Sequence, residues 1–204
     1  MPKVGIEPIR RKQLIEATLK SIEDNGLQGT TINTISRLAG MSSGIISHYF
    51  GGKQGVIEAA IRHMLEQLKD GLLVQLREAR RQQVTPAERL RMIVETNFTG
   101  FQRSSSTAAT WLSFWASAVH DPQLARLQAV NARRLHSNLL YSLRQMINDP
   151  QSAEDAAASM AALIDGMWLR SVLSRDPEAA FARAERLCKD YIDIIVRGVN
   201  QECV

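Results

Sequence analysis

Apolar residues recur along this chain at spacings of three, four and one, and the alternation of a half-buried strand is nearly absent, a pattern that predicts an all-α protein. A first helix carries Ile15, Leu19 and Ile22 on one face and is expected to end near Asn25-Gly26, where glycine supplies a left-handed cap. Thr30-Thr31 offers an N-cap for a short second helix bearing Ile32, Ile35, Leu38 and Ala39, which Gly40 stops. A third helix opens at Ser42-Ser43 and is over by Phe50. From Lys53 one long helix runs through Val56, Ile57, Ala60, Ile61, Met64 and Leu65 to Leu68, Leu72 and Leu76, and it fades into Arg80-Arg81-Gln82-Gln83. Thr85-Pro86 restarts a helix, with proline tolerated in the first turn. Further helices are expected over 106–120, 122–148, 153–173 and 177–199, punctuated by Asp121-Pro122, Asp149-Pro150 and Asp176-Pro177. The expected division is a domain over 1–53 and a larger one over 54–204, with the long helix belonging to both halves.

Within the first domain, a helix, a tight turn beginning at glycine and a second short helix have the organisation of a helix-turn-helix, with the motif over 31–50. Ile32, Ile35, Ala39, Met41, Ile46 and Phe50 are spaced to form its small core, and the other positions are expected to face outward. Ser42, Ser43 and Gly44 bring small side chains and free N–H groups to the start of the third helix, where phosphate oxygens or base edges can approach. Ser47 and His48, one turn on, reach base edges; Ile45 suits a thymine methyl; Tyr49 and Lys53 suit phosphate. Thr31 is expected to cap the second helix and to meet a phosphate through its hydroxyl or N–H. Each residue alone reads better as a helix cap or a surface residue, and only the combined arrangement points to DNA.

Charge narrows the choice. Residues 1–53 hold seven Lys/Arg against four acids, while the remainder holds 18 against 17, so the basic excess sits at the front. A non-specific architectural DNA binder would be basic throughout. Catalysis finds no support: there is no P-loop, GxGxxG, HExxH or GxSxG, and the four histidines fall in none of these motifs. Cys188 and Cys203 lack ligand spacing, so neither a metal site nor a disulfide framework is expected, and no cofactor is implied. No apolar run approaches the roughly 18–20 residues that cross a bilayer, and MPKVGIEPIRRK lacks a secretory signal, so a cytoplasmic location is expected.

The segment TTINTISRLAGMSSGIISHYFGGK resembles the N-terminal domain of TetR-family transcriptional regulators, with Thr31, Ile35, Ala39, Gly40, Ser42, Gly44, Phe50 and Lys53 in register. It departs from the family pattern at Met41, Ser47 and Tyr49, so base preference is not carried over. GIISHYF, MPKVG with IRRKQLIEATL, and AALIDGMWLRSVLS are similar to the branch of that family formed by choline-responsive repressors of glycine betaine synthesis. The resemblance implies a homodimeric repressor of choline-to-betaine genes, with a role in osmotic stress, that choline relieves. It further implies that the last two helices form the dimer interface. Two recognition helices about 34–36 Å apart would then read an inverted repeat. Another cationic or lipophilic effector remains the alternative.

A quaternary ammonium has no hydrogen bond to accept or give at its headgroup, so its site relies on aromatic faces, often with a carboxylate. Trp111, Phe114 and Trp115 share one helical face, and Asp165 precedes Trp168 by three residues on another apolar helix. Two such helices facing each other would build a cage. The competing reading is that these aromatics are core and that Asp165, if buried, pairs with Arg170 or Arg134. The last two helices, with Ala156, Met160, Leu163, Met167, Phe181, Leu187, Tyr191, Ile194 and Ile195, carry apolar surface enough for a dimer interface or for closing the monomer core.

Overall fold

The computed structural model describes residues 5–202, so Lys3 within MPKVG and Cys203 lie outside the described residues. Among the described residues there are ten helices and no strand. The first four are α1 Ile6–Gly29, α2 Ile32–Ala39, α3 Gly44–Phe50 and α4 Lys53–Gln82. α5 Pro86–Asn97, α6 Gly100–Arg103 and α7 Ser105–Ala118 follow, then α8 Pro122–Leu143, α9 Pro150–Val172 and α10 Pro177–Glu202. Sequence periodicity does not reveal α6, because a single turn is too short to display a period.

The local signals act as helix starts and stops for identifiable reasons. Thr31 and Thr85 each form a reciprocal capping box with the residue three positions on, Thr34 and Glu88 respectively. Asp121, Asp149 and Asp176 each accept backbone N–H bonds from the turn that follows, and the next residue is a proline at the first helical position. Gly40 takes φ 63°, ψ 33°, and Met41 N–H then returns to the Ser36 carbonyl at 3.0 Å, closing α2. Gly26, with φ 65° and ψ 175°, breaks α1 where its stop was expected, and one further turn beyond that kink reaches Gly29. Replacing Thr85 by alanine removes the hydroxyl that holds the first turn of α5. A loss of about 1 kcal/mol is expected, read as a fall in Tm of roughly 2–4 °C, and an unchanged Tm would count against the cap.

Packing divides the described residues into two compact units. The first takes the chain through Gln67 together with Ser104–Gln128; the second takes Leu68–Arg103 and the chain from Ala129 onward. Packing thus groups α7 with the N-terminal helices, and α4 contributes to both units, as expected of the long helix. α7 packs along α1, and its Ser105 hydroxyl donates to the Glu23 carboxylate. That bond, with the Lys20 ammonium beside it, holds the Glu23 carboxyl below the usual range.

In the first unit Leu14, Ala17, Ile35, Ile46 and Val56 form the buried cluster that joins α1, α2, α3 and α4. Each fully buried aliphatic side chain there contributes about 1.5–3 kcal/mol relative to exposure. The inward face of α1 is not the expected Ile15, Leu19, Ile22 line but Leu14, Ala17, Thr18, Ser21 and Ile22, with Ile15 and Leu19 half-buried. Two polar residues fit this face because they are satisfied internally. Thr18 donates to the Leu14 carbonyl at 2.7 Å, and Ser21 Oγ lies 3.2 Å from Thr30 Oγ1 and 3.0 Å from Thr34 Oγ1. Leu38, which the core spacing leaves outward, is exposed.

In the second unit α9 and α10 pack together, burying Ala153, Ala157, Met160, Ile164 and Trp168 with Phe181, Ala184, Cys188 and Ile192. Ion pairs lace α10 to α5 and α6, with Lys189 on Glu95 at 2.7 Å, Arg103 on Glu185 at 2.7 Å, and Arg91 on Asp193. Burial beside Glu185 pushes the Cys188 thiol up to about 12, which leaves it without nucleophilic character at neutral pH. Part of the apolar surface on these helices therefore closes the monomer core. Leu163, Met167, Leu187, Tyr191 and Ile195 stay half-buried, and Ile194 is exposed.

Candidate nucleic-acid interface and effector residues

The helix-turn-helix forms as its spacing predicts, with Ile32, Ala39, Met41 and Phe50 packed around Ile35 and Ile46. Ser42, Ser43, Gly44, Ser47 and His48 are exposed. Ser43 precedes α3 without making a side-chain cap bond, and the carbonyls of Ser42 and Ser43 accept the N–H groups of Ile45 and Ile46 at 3.2 Å each. The hydroxyls at the start of α3 are thus not consumed in capping it.

Three residues differ from their expected surroundings. Ile45 and Tyr49 are half-buried and pack against the small core, so neither presents its whole side chain outward. The reason is that α3 spans seven residues and must cover α1, α2 and α4 from its single buried position, Ile46, and the positions flanking it. Thr31 has both donors engaged: its N–H bonds to Thr34 Oγ1 at 2.8 Å, and its hydroxyl accepts from Thr34 N–H at 3.1 Å while lying 3.3 Å from Thr34 Oγ1. A phosphate at Thr31 would have to share these bonds.

Two residues that sequence reasoning passed over hold the recognition helix in place. The Arg11 guanidinium sits 5.4 Å from the Tyr49 ring and 5.0 Å from the Phe50 ring, with Glu7 bound to its Nε at 2.9 Å. The run Ile9-Arg10-Arg11-Lys12 reads as a solvated tail, and only the fold turns Arg11 into a brace. Gly55 is the other. A Cβ on it would lie 1.8 Å from the Phe50 carbonyl oxygen, so the first turn of α4 meets the end of α3 backbone to backbone. Gly51 and Gly52, with φ 75° and 127°, turn the chain between them.

The charges of this region sort by partner. Lys12 pairs with Glu16, and Lys20 pairs with Glu23 and Asp24. Among the described residues no acid pairs with Arg10, Arg37 or Lys53, which leaves these three cations of the first 53 residues available to an anion. Arg37, in the last turn of α2 and exposed, is a phosphate candidate that the motif spacing does not single out.

The five effector candidates fall in both units. In the first, Phe114 is fully buried, Trp111 is nearly so and Trp115 is half-buried. The Trp111 ring lies 5.8 Å from Phe114 and 5.3 Å from Trp115, both tilted, and the Trp115 indole N–H donates to Gln128 Oε1 at 3.3 Å. In the second, Trp168 is buried, donates to the Gln102 carbonyl at 3.2 Å, and meets Phe181 edge-on at 6.2 Å. These contacts give Trp168 a core role. Asp165, on the same helix, is different: it is exposed, although the protein around it partly desolvates its carboxyl. Desolvation pushes its carboxyl up to about 6. Among the described residues no ion pair or hydrogen bond reaches it, so neither Arg170 nor Arg134 is its partner; Arg134 Nη1 is itself buried without a hydrogen-bond acceptor.

Residues 14–60 match the N-terminal domain of bacterial regulatory proteins of the tetR family, and residues 86–197 match the C-terminal domain described as BetI-type transcriptional repressor. A protein named HTH-type transcriptional regulator BetI from Burkholderia lata is 47% identical over 196 residues, covering 96% of this chain and 98% of that one. A protein of the same name from Pectobacterium carotovorum is 50% identical over 95% of this chain and 97% of its own. Among solved structures, a transcriptional regulator from Pseudomonas aeruginosa PAO1 superposes with a TM-score of 0.79 at 26% identity, covering 96% of this chain and 94% of that chain. A transcriptional regulator from Saccharomonospora viridis, solved in complex with choline, superposes with a TM-score of 0.75 over 90% of this chain and 95% of that chain. Its identity of 21% makes that likeness one of fold.

Proposed function

The chain belongs to the BetI-type branch of the TetR family, as a DNA-binding transcriptional repressor rather than an enzyme, and from that premise we propose that choline is the effector that relieves its repression of choline-to-glycine-betaine genes. One observation carries the choice of a cation: the Asp165 carboxylate is crowded by protein and, among the described residues, has no partner. A quaternary ammonium would supply the missing charge without requiring a hydrogen bond. The choline complex of the Saccharomonospora viridis regulator supports the ligand class, and the paired Trp111 and Trp115 faces of the first unit are a separate candidate surface for a quaternary ammonium. Trp111→Ala and Trp115→Ala are each expected to weaken choline binding roughly threefold to thirtyfold in calorimetry, with operator affinity unchanged. Unaltered choline affinity in both variants would exclude the tryptophan surface.

In this reading the working form is a homodimer, using the half-buried and exposed apolar residues that α9 and α10 retain, and the DNA surface is Ser42, Ser43, Gly44, Ser47 and His48 with Arg37 and Lys53 on phosphate. Choline acts by binding the non-operator conformation more tightly, since equal affinity shifts nothing. α4 is the element through which the change passes, because its first turns adjoin the recognition helix and its later turns belong to the second unit. Footprinting on the DNA upstream of the chain's own gene tests this. Protection of an inverted repeat, with half-site centres about one DNA turn apart, should be lost on adding choline. Protection that persists at saturating choline would rule out choline-driven release.

A further inference from the structure

The last turns of α4, the start of α5 and the segment closing α8 line an open groove of about 450 Å³ in the second unit, a size that suits a small organic ligand. Its charge is one-sided. Arg80 and Arg89 line it, and among the described residues no carboxylate pairs with either. Arg89 donates through Nη1 to the Asn138 carbonyl and to Ser142 Oγ, both at 2.7 Å, and through Nη2 to Asn138 Oδ1 at 3.0 Å. All three acceptors are neutral, and the guanidinium stacks 4.8 Å from the centroid of the Tyr141 ring. Desolvation draws the Arg89 pKa below its usual value, as expected for a half-buried cation whose charge nothing opposes.

The rim of the groove carries a second feature. α4 closes with Val84 N–H returning to the Ala79 carbonyl at 3.2 Å, which places Gln83 in the left-handed position, φ 52°. That is the ordinary left-handed cap of a helix C-terminus, and it sets where the Gln83 side chain leaves the backbone. The Gln83 side chain lines the groove, as do the Tyr141 ring and Gln145, whose amide donates one of its two hydrogens to the Tyr141 carbonyl at 2.8 Å. Leu76 and Val84 supply an apolar wall.

We propose that this groove is a second ligand site, which takes a small organic carboxylate with a short apolar body. The guanidinium groups of Arg89 and Arg80 receive the carboxylate, the amides of Gln83 and Gln145 and the Tyr141 hydroxyl complete its shell, and the body lies on Leu76 and Val84. A bare inorganic anion would leave the apolar wall uncovered. The site is independent of the choline reading and selects the opposite charge.

Calorimetric titration of the full chain at pH 7.5 with hexanoate, its neutral analogue hexanamide and inorganic phosphate tests the assignment. One hexanoate per chain is expected, with no binding of hexanamide and weaker binding of phosphate. Arg80→Gln, at an exposed residue, should weaken hexanoate about tenfold or more and leave choline affinity unchanged. Arg89→Gln should abolish hexanoate binding, and where its loss of bonds to Asn138 and Ser142 unfolds the chain, Arg80→Gln alone decides. Equal behaviour of hexanoate and hexanamide, phosphate binding as tightly as hexanoate, or hexanoate binding unaltered by Arg80→Gln would each overturn the proposal.

Discussion

Asp165→Asn is expected to weaken choline binding roughly tenfold to a hundredfold while raising the Tm of the ligand-free chain at pH 7.5. Both effects have one cause. Burial raises the folded-state carboxyl from its ordinary 3.8 to about 6, so this group favours the folded chain below about 3.8 and loses that contribution as pH rises through about 6. At pH 7.5 the ionised Asp165 therefore disfavours folding, and the amide relieves it. In the proposed site, choline binds the ionised form. Its affinity for the wild-type chain should rise with pH up to about 6, by up to about tenfold per unit, and level off above 7, whereas Asp165→Asn should show no such dependence. Calorimetry from pH 5 to pH 8 reads both curves. A wild-type affinity flat across that range would mean that choline does not bind beside Asp165.

The second large effect is expected from Gly55→Ala. The added Cβ would fall 1.8 Å from the Phe50 carbonyl oxygen, and because that atom is backbone, the corner between α3 and α4 must open. Forcing extra volume into a packed contact costs about 1–3 kcal/mol, and here the displacement is directed at the recognition helix. Operator binding should fall by at least about tenfold in fluorescence anisotropy, with choline affinity retained. Wild-type operator affinity in this variant would show that the corner yields without moving α3. Surface substitutions in the same helix should behave differently: Ser47→Ala or His48→Ala leaves the core around Ile46 intact and alters base preference rather than folding.

The features legible in the sequence are those encoded within a few residues. Thr31 and Thr85 announce capping boxes, the three Asp-Pro pairs start helices, and Gly40 closes α2, because each acts on backbone groups one turn away or less. The helix-turn-helix core was legible for the same reason, with Ile35 and Ile46 at fixed offsets from the turn. What depends on distant partners was not. The inward face of α1 includes Thr18 and Ser21, whose hydroxyls are satisfied by Leu14, Thr30 and Thr34, and apolar periodicity is blind to polar residues satisfied in this way. The place of α7 beside α1, and with it the unit boundary, rests on packing between segments some 80 residues apart, as the Ser105 bond to Glu23 illustrates. Gly55 looks like any helical glycine until the Phe50 carbonyl is seen against it, and Arg11 looks like one charge of a basic run until Tyr49 and Phe50 are beneath it. Among the effector candidates, Asp165 was legible as an acid in an apolar helix, but its lack of a partner was not.

Linkage between choline and operator is the central claim, and it is reciprocal by thermodynamic necessity. The most direct measurement determines operator affinity with and without saturating choline by anisotropy, and choline affinity of the free and operator-bound chain by calorimetry. The account predicts that choline weakens operator binding and that operator weakens choline binding by the same factor. Choline binding with equal affinity to the free and the operator-bound chain would contradict it.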